Sequence, residues 1–182
     1  MRRVCLSERG FSVNELLLVV AVAASLMAIG VPVLTDVSEG AKLNGAAREL
    51  EREFQSARLK AVTANRILRV RINCPTAGYF RTVEYLNTPV DTAANRCVES
   101  AYPFPADDDL MTRPNYDGPL RILPLGATVA NRVVEFHPDG LAYEVVGNVP
   151  QRIANVVTIT VTRMNKSKRI TINGAGKVQL QQ

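Results

Sequence analysis

The chain has 182 residues, of which 47% are hydrophobic and 21% charged, with 22 lysines and arginines against 17 aspartates and glutamates. That composition excludes a wholly disordered polymer and fits about one folded domain plus an N-terminal segment of a different kind. One histidine and three cysteines leave little room for histidine-based metal or triad chemistry. The net charge of +5 is concentrated at one end. Arg163, Lys166, Lys168, Arg169 and Lys177 fall in the last twenty residues with no acid among them, and the rest of the chain is balanced. Such a stretch reads either as a solvated strand pair or as an anion-binding patch.

Residues 1–10 form a short basic segment with three arginines and one glutamate, a pattern that stays on the cytoplasmic side of a membrane. Leu16 to Leu34 then run without a charge, broken only by Ser25, Gly30 and Pro32. With Phe11 to Glu15 added, the stretch is long enough to cross a hydrocarbon core of ~30 Å as a helix. Three readings compete. Ala21-Val22-Ala23 resembles a secretory cleavage site, but it lies inside the apolar run. An ordinary transmembrane anchor leaves unexplained why Glu15 stands at the mouth of that run, where a carboxylate is costly.

The third reading accounts for Glu15. Gly10-Phe11-Ser12-Val13-Asn14-Glu15-Leu16 resembles the type IV prepilin signal: a basic leader ending in glycine, then phenylalanine, a glutamate at the fifth mature position and an apolar helix. The resemblance implies that a prepilin peptidase cuts between Gly10 and Phe11 and that the new amino terminus of Phe11 is methylated. It also implies that Glu15 pairs with the Phe11 amine of a neighbouring subunit, since either charge alone in a low-dielectric bundle is worse off than the pair. The implied segments are a cleaved leader at 1–10, a transmembrane half-helix at 11–34, an amphipathic half-helix at 35–64 and a β-rich head at 65–182.

Pro32 is expected to kink the helix rather than end it. Beyond it Val33, Val37, Ala41, Leu43, Ala47, Leu50, Phe54, Ala57, Leu59 and Ala61 recur at mostly helical spacing among charged residues. A helix from Phe11 to about Ala64 would be roughly 80 Å long. After Asn65 the period becomes two, and strands are predicted at 67–72, 78–85, 121–123, 133–136, 142–146, 156–162, 169–172 and 177–180. Residues 86–119 read as a long proline-broken loop in which Asp107-Asp108-Asp109 is a solvated acidic run, lacking the glycine and distal glutamate of an EF-hand. His137-Pro138-Asp139-Gly140 and Asn173-Gly174-Ala175-Gly176 read as turns, which makes His137 a turn residue rather than a ligand or base.

Phe136-His137-Pro138-Asp139-Gly140, followed by a C-terminal strand, a glycine turn and Gly176-Lys177-Val178, is similar to the GspH/FimT group of minor pilins and pseudopilins. The fold implied is α+β and type IV pilin-like: a long N-terminal helix, transmembrane and then amphipathic, packed on an antiparallel β head. The function implied is that of a minor subunit in assembling a type II secretion pseudopilus or a type IV pilus. Its partners would be other pilin subunits, the peptidase and the bacterial inner membrane, with the head in the periplasm. Cys5 would leave with the leader, so Cys74 and Cys97 would remain as a pair in an oxidising compartment and are expected to bridge.

No P-loop, dinucleotide fingerprint or defensible nucleophile set is present, so no catalytic residue, cofactor or metal is expected. The alternative function is DNA capture for uptake. In DNA-binding members of the FimT branch a glycine–arginine motif lies near the C-terminus; here the matching site is Gly176-Lys177-Val178-Gln179, with lysine and glutamine in place of the arginines. Lysines still neutralise phosphates, and Arg163, Lys166, Lys168, Arg169 and Lys177 would be the contacts, with antiparallel pairing expected to bring Lys168 or Arg169 near Lys177.

Overall fold

A computed structural model describes residues 12–85, 94–100, 102 and 117–181. Gly10 and Phe11, and Asp107 to Asp109, lie outside the described residues. The chain divides into two compact units, Met1–Glu39 and Gly40–Gln182.

Helix α1 runs from Val13 to Ala64 and continues through Pro32. Its start follows from sequence: Ser12 Oγ accepts from the backbone N–H of Glu15 at 3.3 Å, the geometry of an S-x-x-E cap. Its end is equally local. Asn65 adopts φ 53°, and the Arg66 N–H reaches back to the Ala61 carbonyl at 3.1 Å, so a left-handed residue and a six-to-one bond close the last turn. In the first unit the large apolar side chains from Val13 to Leu34 are exposed.

In the second unit the helix buries Leu43, Ala46, Ala47, Leu50, Phe54, Ala57 and Ala61. The spacing predicts all of these but Ala46, and it also predicts Ala41 and Leu59, which the structure leaves exposed because they lie off the stripe that faces the sheets. Two antiparallel sheets receive it. The first holds β3 (Arg121–Ile122), β2 (Tyr79–Glu84), β1 (Leu68–Ile72), β5 (Val133–Phe136), β6 (Ala142–Val146) and β7 (Val149–Arg152), side by side in that order. The second has the order β10 (Val178–Gln181), β9 (Lys166–Asn173), β8 (Val156–Arg163) and β4 (Ala127–Val129). Leu68, Val70, Ile72, Phe80, Val134 and Phe136 from the first sheet join Val157, Ile159, Val161, Ile170 and Ile172 from the second in one core with the helix stripe. Phe54 meets Phe136 edge to face with centroids 6.4 Å apart. Each such buried side chain contributes about 1.5–3 kcal/mol.

Two strands were not expected from sequence. β7 contains Pro150, which argues against a strand in general, yet β7 is an edge strand and needs no ladder N–H on its outer side. β4 has only three residues and offers too short a pattern.

Candidate functional site

Glu15 is exposed at the first turn of α1, next to its Ser12 cap. A carboxylate there is favoured locally by the partial positive charge of the helix N-terminus. Among the described residues α1 is the one helix long and apolar enough to cross a membrane, and its most apolar window is not buried by this chain.

The exposed apolar half is continuous in sequence with a half that the head holds by directed polar contacts. Buried Glu53 accepts from Thr82 Oγ1 on β2 at 2.5 Å and pairs with Arg121 Nε on β3 at 2.8 Å. Glu51 Oε1 accepts from the Leu180 N–H on β10 at 3.0 Å. Arg58 Nε donates to the Gly140 carbonyl at 3.2 Å. Both turn motifs read from sequence converge on Arg58. Gly140 has φ +79° and Gly176 φ +72°, and a Cβ at Gly176 would stand 2.6 Å from Arg58 Nε. The Ala142 N–H donates to the Gly174 carbonyl at 3.1 Å, which joins the two turns. Glycine is needed at these positions both for its conformation and for its lack of a side chain.

On the side of the first sheet away from the helix, a set of buried arginines holds the segment after β2. Arg81 is fully buried and donates from Nε to the Gly118 carbonyl (2.6 Å), from Nη1 to that of Arg96 (3.0 Å) and from Nη2 to that of Tyr102 (2.6 Å). Arg96 forks onto Asp117 with bonds of 2.8 and 2.7 Å, and Asp117 Oδ1 also accepts from the Glu84 N–H. Burial lowers the pKa of Arg81, and the Asp117 carboxylate opposes that shift. Burial likewise lowers that of Arg71, helped by repulsion from Arg69 and Arg96. Both stay charged at any working pH. Cys74 and Cys97 form the expected disulfide, with Cα atoms 5.4 Å apart, which ties the short 3-10 turn Ala94–Cys97 to the end of β1.

The alternation in β1 predicts a half-buried strand, and here the structure differs. Arg69 is only 4% exposed, because Glu135 pairs with its Nε at 2.5 Å and the Tyr85 ring lies 4.4 Å from the guanidinium. His137 stands in the turn after β5, as expected, but it also hydrogen-bonds Glu135 Oε1 at 2.5 Å and stacks on Tyr143. Arg81, Arg96 and Asp117 were missed in sequence. The available signal was β2 itself: Val83 shares a face with Arg81 while Phe80 lies on the other, and apolar residues on both faces fit a strand covered on both sides.

The basic C-terminal residues do not form the pair expected. In the β9–β10 ladder Arg169 stands opposite Gln181 and Ile172 opposite Val178, while Lys177 sits in the turn bonded to Asn173. Lys177 lies four positions before Gln181, the partner of Arg169, because the turn at 173–176 is tight and the ladder begins at once. Arg163 instead pairs with Lys166 across the β8–β9 turn, and Lys168 pairs with Val161. Strand alternation puts Arg163, Lys166 and Lys168 on the helix side of the second sheet and Arg169 on the opposite side. No group of three or more metal-ligating side chains occurs among the described residues.

The family described as type II transport protein GspH matches residues 46–176. The chain therefore belongs to the GspH family, a family of structural subunits that is not typically enzymatic. It is a minor pilin or pseudopilin, acting with other pilin subunits in assembly of a pilus or a type II secretion pseudopilus. Solved structures similar to it include the type IV minor pilin FimU of Pseudomonas aeruginosa, at 18% identity and a TM-score of 0.49, covering 80% of this chain and 92% of that one. The minor pseudopilin EpsH of the type 2 secretion system of Vibrio cholerae is similar at 11% identity and a TM-score of 0.45, covering 77% and 96%. No curated protein matches the chain in sequence.

Proposed function

We propose that the subunit is cut by a prepilin peptidase between Gly10 and Phe11, methylated on Phe11, and held in the bacterial inner membrane by a single pass over residues 11–34 with its head in the periplasm. From there it joins a pilus or pseudopilus, its Glu15 carboxylate meeting the Phe11 amine of the subunit beside it. The observation that carries this reading is one helix with two environments: an uncharged, uncovered N-terminal half headed by a lone carboxylate, and a C-terminal half forming the core of a GspH-family head. Bare apolar surface of that extent needs lipid or other helices around it. The disulfide fits an oxidising compartment for the head.

The test is mass spectrometry of the membrane form expressed in a host with a prepilin peptidase. The expected product starts at N-methylated Phe11. A product starting near Ala24, or an intact Met1, would refute the processing reading and leave the family membership in place.

A further inference from the structure

Two turns lie side by side at one end of the second unit and carry its most exposed apolar side chains. Leu125, in the turn between β3 and β4, is 94% exposed, and Met164, in the turn between β8 and β9, is 74% exposed. They are neighbours by register: Ala127 pairs with Arg163, so the residues just before Ala127 face those just after Arg163. Lone exposed apolar residues need no explanation. Two on adjacent turn tips, flanked by Arg163, Lys166 and Lys168, form a composite surface.

The same end is where the helix enters the unit. A Cβ placed at Gly40 would lie 3.9 Å from Lys166 Nζ, and Pro124 shares a groove with Gly45 and Arg48. Residues 35–39 alone separate Gly40 from the uncharged run that ends at Leu34. Even fully extended, six Cα steps span no more than about 20 Å. Whatever the orientation of the units, Gly40, with Lys166 beside it, stays within that tether of any bilayer holding the run.

We infer that this end of the head is a membrane-contact surface. Leu125 and Met164 enter the boundary between headgroups and acyl chains, and Lys166 and Lys168 meet the phosphates of anionic phospholipids. The inference rests on the reading that residues 11–34 span the membrane. The pattern is that of interfacial association, apolar tips under a basic rim. Lipid is favoured over a protein partner because the tether keeps Gly40 and the adjacent Lys166 close to the bilayer whether or not a partner is present. In this role the contact holds the unassembled subunit against the membrane, and addition to a filament breaks it.

The experiment uses the full chain carrying Cys5→Ser, with one further cysteine bearing an environment-sensitive fluorophore at Leu125→Cys, at Met164→Cys, or at Val156→Cys as the control. Val156 is exposed and begins β8, at the opposite end of that strand from Arg163. Chains are reconstituted in phosphatidylcholine vesicles with and without phosphatidylglycerol, and flotation with the vesicles reports the anchor separately. A blue shift at 125 and 164, larger with phosphatidylglycerol and missing at 156, is expected. Lys166→Gln and Lys168→Gln should each lower the contacting-to-free ratio about fivefold in the anionic vesicles. Flotation without any shift at 125 and 164 overturns the contact while sparing the anchor. A shift that grows with protein-to-lipid ratio and ignores lipid charge assigns the surface to a second copy and also overturns it. Failure to float removes the anchor, and the contact with it.

Discussion

Arg58, on the helix, and Gly140, on the turn between β5 and β6, are joined by a hydrogen bond from Nε to the carbonyl oxygen, 82 residues apart in sequence. Gly176 closes over the same guanidinium from the second sheet. One arginine thus fastens the helix to a turn from each sheet. Gly176→Ala should cost about 2–3 kcal/mol, since it combines a positive φ with a collision. Gly45→Ala is the contrasting variant: a Cβ there meets nothing within 4 Å, and helix propensity predicts a gain of about 0.5–1 kcal/mol. Urea unfolding followed by circular dichroism separates the two signs, and a neutral Gly176→Ala would remove the role given to Arg58.

Asp117 and Arg96 are both nearly inaccessible. Asp117→Ala leaves a buried guanidinium without its counter-ion and should destabilise the head by about 3–5 kcal/mol, whereas Arg96→Met/Asp117→Leu together should cost less than the single change. The readout is a double-mutant cycle. Additive losses would mean that the pair acts as two independent contacts.

The bridge between Cys74 and Cys97 spans 23 residues, and closing a loop of that size stabilises by about 3 kcal/mol. Under non-reducing conditions the head cysteines should resist alkylation. Cys74→Ser/Cys97→Ser should unfold at lower temperature while keeping the same sheets, because Arg81 still holds the carbonyls of Arg96, Tyr102 and Gly118. Two alkylated cysteines in the non-reduced protein would rule the bridge out.

Glu15→Ala should be processed normally and incorporated poorly. If the Ser12 cap rather than an intersubunit pair is the main role of this region, Glu15→Ala and Glu15→Gln would both incorporate normally. Counting the subunit in sheared filaments against the membrane pool decides the matter.

DNA binding gains no support from the distribution of basic residues, which falls on two sides of the second sheet and one turn. At low salt, Lys168→Ala/Arg169→Ala/Lys177→Ala and the parent chain should bind duplex DNA equally weakly. A parent that binds with a log–log salt slope of about −3 or steeper, lost in the triple variant, would reverse that expectation.

Much of the fold was legible because its periods are local. The helix stripe from Leu43 to Ala61 and the strands at Val133–Phe136 and Ala142–Val146 follow from spacing and turn residues alone. Glu53 was not legible as a buried group, because its partners Thr82 and Arg121 are distant in sequence. The covered side of the first sheet was hidden for a similar reason. Arg69 and Arg81 look like solvated strand residues until Tyr85, Glu135 and Asp117 are placed around them. The basic tail differs at the register: a turn centred two residues earlier would set Lys177 beside Arg169.

The bond between Leu180 and Glu51 closes a separation of 129 residues. During synthesis the helix emerges first and the strand that meets it nearly last. Leu43, Leu50 and Phe54 therefore wait, uncovered, for most of the time the ribosome needs to make the head. Long-range closure of this kind slows folding. An interval follows in which the chain has its helix and no sheet to seat it, and a holding chaperone would have its substrate there.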